Sequence, residues 1–209
     1  MFSKSTLNHF NNIGQILGKI GERVEGNLYC DITPNNLVFE KNTGKIKNLS
    51  YLAKDKKKIC EIGINAGHSL FIMLEQSPEA EYFLFDLGLH SYTKPCIDYI
   101  IEQFPNTNFH LNFGDSKVTL KEFIKSQPEK IGQFDLIHID GGHEQTEFSS
   151  DFYMTSLLAK KNSTLIFDDY NIEGIANFLD ERIKKSIISK ITSDKIEETN
   201  RQLIYKFNF

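Results

Sequence analysis

From Lys58 to Asp168 the chain repeats one device: a short apolar run that ends at an acid or a glycine, then a stretch of helical periodicity. The runs lie at 58–62, 82–87, 108–113, 134–140 and 163–168, and the helical stretches at 67–76, 92–103, 116–127 and 145–160. Continuous runs such as Phe134-Asp135-Leu136-Ile137-His138-Ile139 suit a parallel sheet covered on both faces. Strict alternation of strand and helix predicts a doubly wound α/β fold. A helix near 173–185 follows, then two strand candidates, 187–192 and 201–207, with only a polar loop between them. That spacing predicts an antiparallel closing pair. At 209 residues, one domain with a sizeable core is expected.

The first run leads into Glu61-Ile62-Gly63-Ile64-Asn65-Ala66-Gly67-His68-Ser69. It reads as a strand ending in an acid, a glycine turn and the first turn of a helix. Gly63 and Gly67 are small where the chain reverses and a ligand approaches the backbone. The helix aims its free N–H groups, and with them the Ser69 hydroxyl, at an anionic group such as a carboxylate. A structural α/β turn has the same look. The spacing is Gly-x-x-x-Gly, whereas a dinucleotide fingerprint needs Gly-x-Gly-x-x-Gly, so a nicotinamide cofactor is disfavoured. No Gly-Lys-Ser/Thr follows, so this is no phosphate-binding P-loop.

Glu61-x-Gly-x-x-x-Gly-x-Ser resembles motif I of class I S-adenosylmethionine (SAM) dependent methyltransferases. More specifically, the chain is similar to the metal-dependent catechol-type and sugar O-methyltransferases. The resemblance covers about residues 55–209. It implies a Rossmann-like, mostly parallel seven-stranded sheet with an antiparallel last strand, here over 58–209, preceded by an N-terminal extension, 1–57. It also implies SAM as the methyl donor.

The donor residues follow in order. Glu61 is expected to organise the turn or meet the methionine amine, and Ser69 matches the family serine that meets the methionine carboxylate. Asp86 ends the second apolar run, 25 positions after Glu61, close to the interval of about 20 residues at which such an acid accepts the ribose hydroxyls. A helix cap or a loop aspartate is the plainer alternative. Asp115 and Ser116 end the third strand, where the resemblance places the adenine. Asp115 is also a good cap for the next helix.

The fourth and fifth runs end in Asp140-Gly141-Gly142-His143 and Asp168-Asp169-Tyr170. As sheet neighbours about 5 Å apart, these runs would bring carboxylates together beside the donor. Clustered anions raise each other's pKa unless a cation neutralises them. All-oxygen donors suit Mg²⁺, with Ca²⁺ or Mn²⁺ as alternatives, and helix capping is the alternative use of Asp140 and Asp169. The set resembles the family's metal triad, Asp140 on the fourth strand and Asp168 and Asp169 after the fifth, and the resemblance also counts Asp140 among the residues that bind SAM. His143 stands where the catechol enzymes carry a lysine base, and a histidine titrates near neutrality. The expected acceptor is a small-molecule hydroxyl. The chain has no Trp to gate a planar aromatic, which leans toward a sugar or other polyol. Phe148, Phe152, Tyr153 and Tyr170 suit either an acceptor pocket or the core. Other readings are a non-catalytic module binding SAM or metal and, less favoured, a nicotinamide-dependent oxidoreductase.

Upstream, Phe10, Ile13, Leu17, Ile20 and Val24 form one face of a helix that Gly14, Gly18 and Gly21 weaken. The stripe suits a helix covering one edge of the domain, or a homodimer seam. Pro34-Asn35-Asn36 is a turn signal, and 37–40 with 45–51 around Asn42-Thr43-Gly44 predict a small hairpin. A net charge of −4 gives no reason to expect nucleic acid. No run is long enough to span a membrane, and no secretory h-region opens the chain. Three scattered cysteines, Cys30, Cys60 and Cys96, read as reduced packing residues in a cytoplasmic protein.

Overall fold

A computed structural model describes residues 2–26, 29–32 and 38–209. Five parallel strands carry the centre: β3 (Lys58–Ile62), β4 (Glu81–Asp86), β5 (Asn108–Phe113), β6 (Phe134–Ile139) and β7 (Ala159–Phe167). With β8 (Ile188–Lys190) and β9 (Leu203–Phe207) they form one seven-stranded sheet in the order β5-β4-β3-β6-β7-β9-β8. β9 runs antiparallel to both β7 and β8. The doubly wound sheet and its closing pair are as the alternation predicts.

The apolar runs are continuous because both faces are covered. Ile59, Tyr82, Leu84, Leu136 and Ile166 point to one core, and Cys60, Phe83, Phe85, Ile137 and Leu165 to the other. That is the period-2 alternation of a strand. Helices α3 (His68–Gln76) and α4 (Thr93–Gln103) contribute to the first core. Helices α5 (Ser116–Ser126), α6 (Gln145–Leu158) and α7 (Glu173–Lys184) contribute to the second. α6 stops at Leu158, earlier than its periodicity predicts, because β7 begins at Ala159 and bulges before resuming its pairing at Thr164.

The N-terminal stripe is spent within its own chain. α1 (Lys4–Ile20) starts on Ser3, whose hydroxyl accepts the Thr6 N–H, and buries Thr6, Phe10, Ile13 and Leu17. Phe10 meets Phe71 of α3 with ring centroids 5.6 Å apart, and His9 bonds the Tyr99 hydroxyl of α4. Gly21 does not weaken this helix. It ends it, in the left-handed conformation that a C-cap glycine supplies.

The hairpin expected around Asn42-Thr43-Gly44 is corrected by the structure. β1 (Cys30–Ile32) pairs antiparallel with β2 (Val38–Glu40), and residues 43–53 form a helix, α2 (Thr43–Ala53). The reason is periodicity: Ile46, Leu49, Leu52 and Ala53 recur at helical spacing and all are buried. Lys45 and Asn48 are buried as well. The Pro34-Asn35-Asn36 turn lies outside the described residues.

Candidate active site

The strand order reverses between β3 and β6, and ligands of open α/β sheets bind outside the strand C-termini at that point. Here β3 and β6 stay in contact past their last residues. The Asp140 N–H donates to the Ile62 carbonyl, and the Gly63 N–H to that of Phe85. Gly63 sits at φ 82°, and a Cβ there would lie 1.9 Å from the Asp140 carbonyl oxygen. Only glycine fits. Gly67 is held in the same way, at φ 79°, with Ile100 of α4 2.4 Å from the place of its Cβ.

A cavity of about 970 Å³ opens over this crevice. Gly63, Ser69, Asp86, Asp115, Ser116, Asp140, His143 and Asp169 all line it. Residues far apart in sequence therefore meet at one rim. Glu61, Gly67 and Asp168 are not on its surface: Glu61 and Asp168 lie buried behind the wall, and Gly67 turns the chain. Phe148 and Phe152 are core residues, 2% and 1% exposed. Tyr170 borders a separate cavity between α7 and the β8–β9 loop.

The donor end is organised by backbone. Asp86 Oδ2 accepts the N–H groups of Ile64 and Asn65 at 2.8 and 2.9 Å, and Oδ1 accepts that of Gly88 at 2.8 Å. The carboxylate thus clamps the glycine turn and keeps further lone-pair capacity. Asp115 caps α5 by accepting from the Lys117 N–H at 2.9 Å. Ser69 donates its hydroxyl to Glu61 Oε1, not to the cavity. His90, on the same rim, bonds Glu22 at 2.7 Å and so ties the segment after α1 to it.

Three participants escaped the sequence reading. His138 stands mid-strand in β6, opposite Glu61 in the sheet register. Its Nδ1 lies 3.0 Å from Glu61 Oε1 and its Nε2 3.6 Å from Asp168 Oδ2, with every side chain at 0% exposure. Lys45 of α2 reaches the same oxygen of Asp168, its Nζ in ion-pair contact with Oδ2. Tyr29 covers that ammonium, its ring centroid 5.1 Å away. One signal was legible: His138 and Glu61 are polar residues inside apolar runs.

Charge sets the proton affinities. Burial pushes the His138 imidazole down, but the Asp168 and Glu61 carboxylates outweigh it and raise it to about 10. Burial works against the Asp168 anion too, yet His138 and Lys45 hold its carboxyl well below the usual range. Lys45 is raised, the acid cluster overcoming burial. Asp140 is pushed up by burial and by the Asp168 charge, with Lys45 and His138 offsetting part of the rise.

Asp169 turns the other way. It sits at φ 57° and accepts or shares a proton with His143 Nε2 at 2.9 Å. This bond is the main reason the His143 pKa is raised. The His143 side chain is 57% exposed, toward the cavity mouth.

The expected metal set was Asp140, Asp168 and Asp169. Among the described residues, the side chains close enough to share one cation are His138, Asp140 and Asp168, a ligand atom of each lying within 4.8 Å of the others. Asp168 is already in contact with an ammonium. A dication about 4 Å from that ammonium would meet about 8 kcal/mol of repulsion at an effective dielectric of about 20. The acids would attract the same dication, so it and the ammonium compete for one place beside Asp168.

The fold has solved counterparts. An O-methyltransferase from Bacillus cereus, solved with S-adenosylhomocysteine (SAH), matches with a TM-score of 0.67 at 16% identity, over 100% of this chain and 93% of that one. TomG from Streptomyces achromogenes, an O-methyltransferase of tomaymycin synthesis solved with SAM, matches at 0.68 and 13%, over 100% and 92%. Among curated proteins no sequence match is found. Residues 60–170, more than half of the chain and the span from within β3 to the acidic pair after β7, match the family model described as a methyltransferase domain, and the chain belongs to that family.

Proposed function

We propose that the protein is a SAM-dependent O-methyltransferase acting on a hydroxyl of a small molecule, a sugar or other polyol in preference to a planar phenol. The observation that carries this reading is the His143–Asp169 pair, which lines the same cavity as the backbone-built turn around Asp86. The solved O-methyltransferases of the same fold, holding SAH or SAM, support it.

When bound, SAM supplies a methyl group on a sulfonium. Asp86 and the glycine turn it clamps hold the nucleoside end, and Asp115 and Ser116 the base. Asp169 engages His143 Nε2, so Nδ1 is the nitrogen left to take the acceptor's proton. The hydroxyl O–H bond breaks toward Nδ1, the oxygen forms its bond to the methyl carbon, and the carbon–sulfur electrons leave with SAH. The chain contributes mainly register between the two reactants and a base tuned by its carboxylate partner.

A second reading keeps the divalent cation among the site acids. The grouping of His138, Asp140 and Asp168 favours it, and it requires Lys45 to leave Asp168.

The test is methyl transfer from labelled SAM to a panel of sugars, polyols and phenols. His143→Ala should lower kcat by about 10²–10⁴-fold while SAH still raises the melting temperature. Asp169→Asn should lower kcat less and move the acid limb of the pH profile downward, because Asp169 is what raises His143. Full activity in His143→Ala removes the base assignment. Stabilisation by NAD(H) and not by SAH removes the donor assignment.

A further inference from the structure

The acids behind His143 are supplied with a cation by the chain itself. Lys45 and Asp168 are 2% and 0% exposed, in ion-pair contact, so the ammonium is enclosed by protein. Beyond its contact with Asp168, its Nζ is without a hydrogen-bond partner among the described residues. Tyr29, 3% exposed, lays its ring against the ammonium, and its own buried hydroxyl is likewise without a hydrogen bond among the described residues. Tyr29 lines the cavity together with Asp140, so the enclosed pair lies directly behind the reacting volume. Both Lys45 and Tyr29 stand outside the segment that matches the family model.

We propose that the Lys45 ammonium is the resident cation of this site, standing where the resemblance to the catechol-type enzymes places a divalent metal. The N-terminal segment then does more than cover an edge of the sheet. It delivers the positive charge that lets Asp168 lie buried behind Asp140 and Asp169, and the protein needs no metal to assemble that group. Lys45 is a positioning residue: it acts through Asp168, and Asp168 shapes the field around Asp140 and His138.

The proposal deepens the methyltransferase reading, but its test does not require turnover. Mn²⁺ is titrated into the purified full-length chain, with and without SAH, and followed by electron paramagnetic resonance. The wild type should show no stoichiometric site. Lys45→Met keeps the length of the stem and removes the charge; it should gain one site that binds at least about tenfold more tightly than anything in the wild type. One equivalent of Mn²⁺ on the wild type, lost in Asp140→Asn, overturns the proposal. So does a folded Lys45→Met that gains no site. If Lys45→Met does not fold, the wild-type titration decides alone. Should no hydroxyl compound accept a methyl group, the methyltransferase reading fails while the Mn²⁺ result still stands.

Discussion

Gly63→Ala tests the geometry on which the site depends. The new methyl group would begin 1.9 Å from the Asp140 carbonyl oxygen, which is backbone and cannot rotate away. Ordinary contact needs roughly 3.4 Å or more, so the ends of β3 and β6 must part by more than 1 Å. Two costs add. An L-residue held at φ 82° loses roughly 1–2 kcal/mol, and forcing a methyl group into a packed crevice loses about 1–3 kcal/mol more. The sum is roughly 2–5 kcal/mol, a fall in Tm of roughly 4–20 °C for a chain of this size. Gly132 separates the two terms. It has φ 68° and no atom within 4 Å of its Cβ position, so Gly132→Ala carries the conformational cost alone, about 2–8 °C. Urea and thermal unfolding of both variants, with SAH titrated by calorimetry, give the comparison. Gly63→Ala should be the less stable and the weaker binder. If it unfolds no earlier than Gly132→Ala and binds SAH normally, β3 and β6 do not converge as described.

Asp86→Ala removes the acceptor of two backbone N–H groups in the glycine turn and of the Gly88 N–H after β4. Hydrogen bonds to a charged group are worth about 1.5–3 kcal/mol, so calorimetry should show SAH affinity falling roughly 10–100-fold; unchanged affinity would separate the turn from the donor site. His138 links stability to pH. Its folded pKa is about 10 against an ordinary 6.5, so the protonated imidazole's contribution is complete below about pH 6.5 and is lost as pH rises through about 10. Asp168 is lowered, so its contribution holds above its ordinary range and is lost toward acid. Urea unfolding from pH 6 to 10 should therefore show stability declining with pH, and His138→Gln should flatten the decline; parallel curves for the two proteins would contradict the pairing.

The sheet was legible because its strands are buried on both faces, so each announces itself as an unbroken apolar run. The rim was legible because acids stand at the C-terminal ends of those runs, where topology gathers them. α2 was not, because Asn42-Thr43-Gly44 is a turn signal whose local chemistry is the same before a strand and before a helix, and Asn42 does adopt the left-handed conformation of such a turn. What decided it was burial of Ile46 and Leu49 against the rest of the fold, a tertiary effect. Lys45 and Tyr29 were illegible for a similar reason. A lysine on a helix reads as solvated until something shows that its face is buried, and its partner Asp168 is more than a hundred positions away. Asp168 and Asp169 were expected to act together, yet the positive φ of Asp169 sends the two side chains to different partners.

Placing four ionisable groups at 0–2% exposure under a reaction site needs a physical reason, since apolar packing of the same volume is often as stable. The order of the charges supplies one. Lys45, Asp168, His138 and Glu61 alternate in sign along the chain of contacts, with Ser69 donating to Glu61 at the donor end. Positive and negative members balance, so the buried row adds little net charge beneath the cavity. Each member is nonetheless fixed by its neighbours, and moving one would strand another in a low-dielectric interior. The consequence is that Ser69 at one end and Lys45 at the other cannot shift independently, although they come from α3 and α2. The wall behind the cavity therefore moves as one body, from the start of α3 to the N-terminal α2.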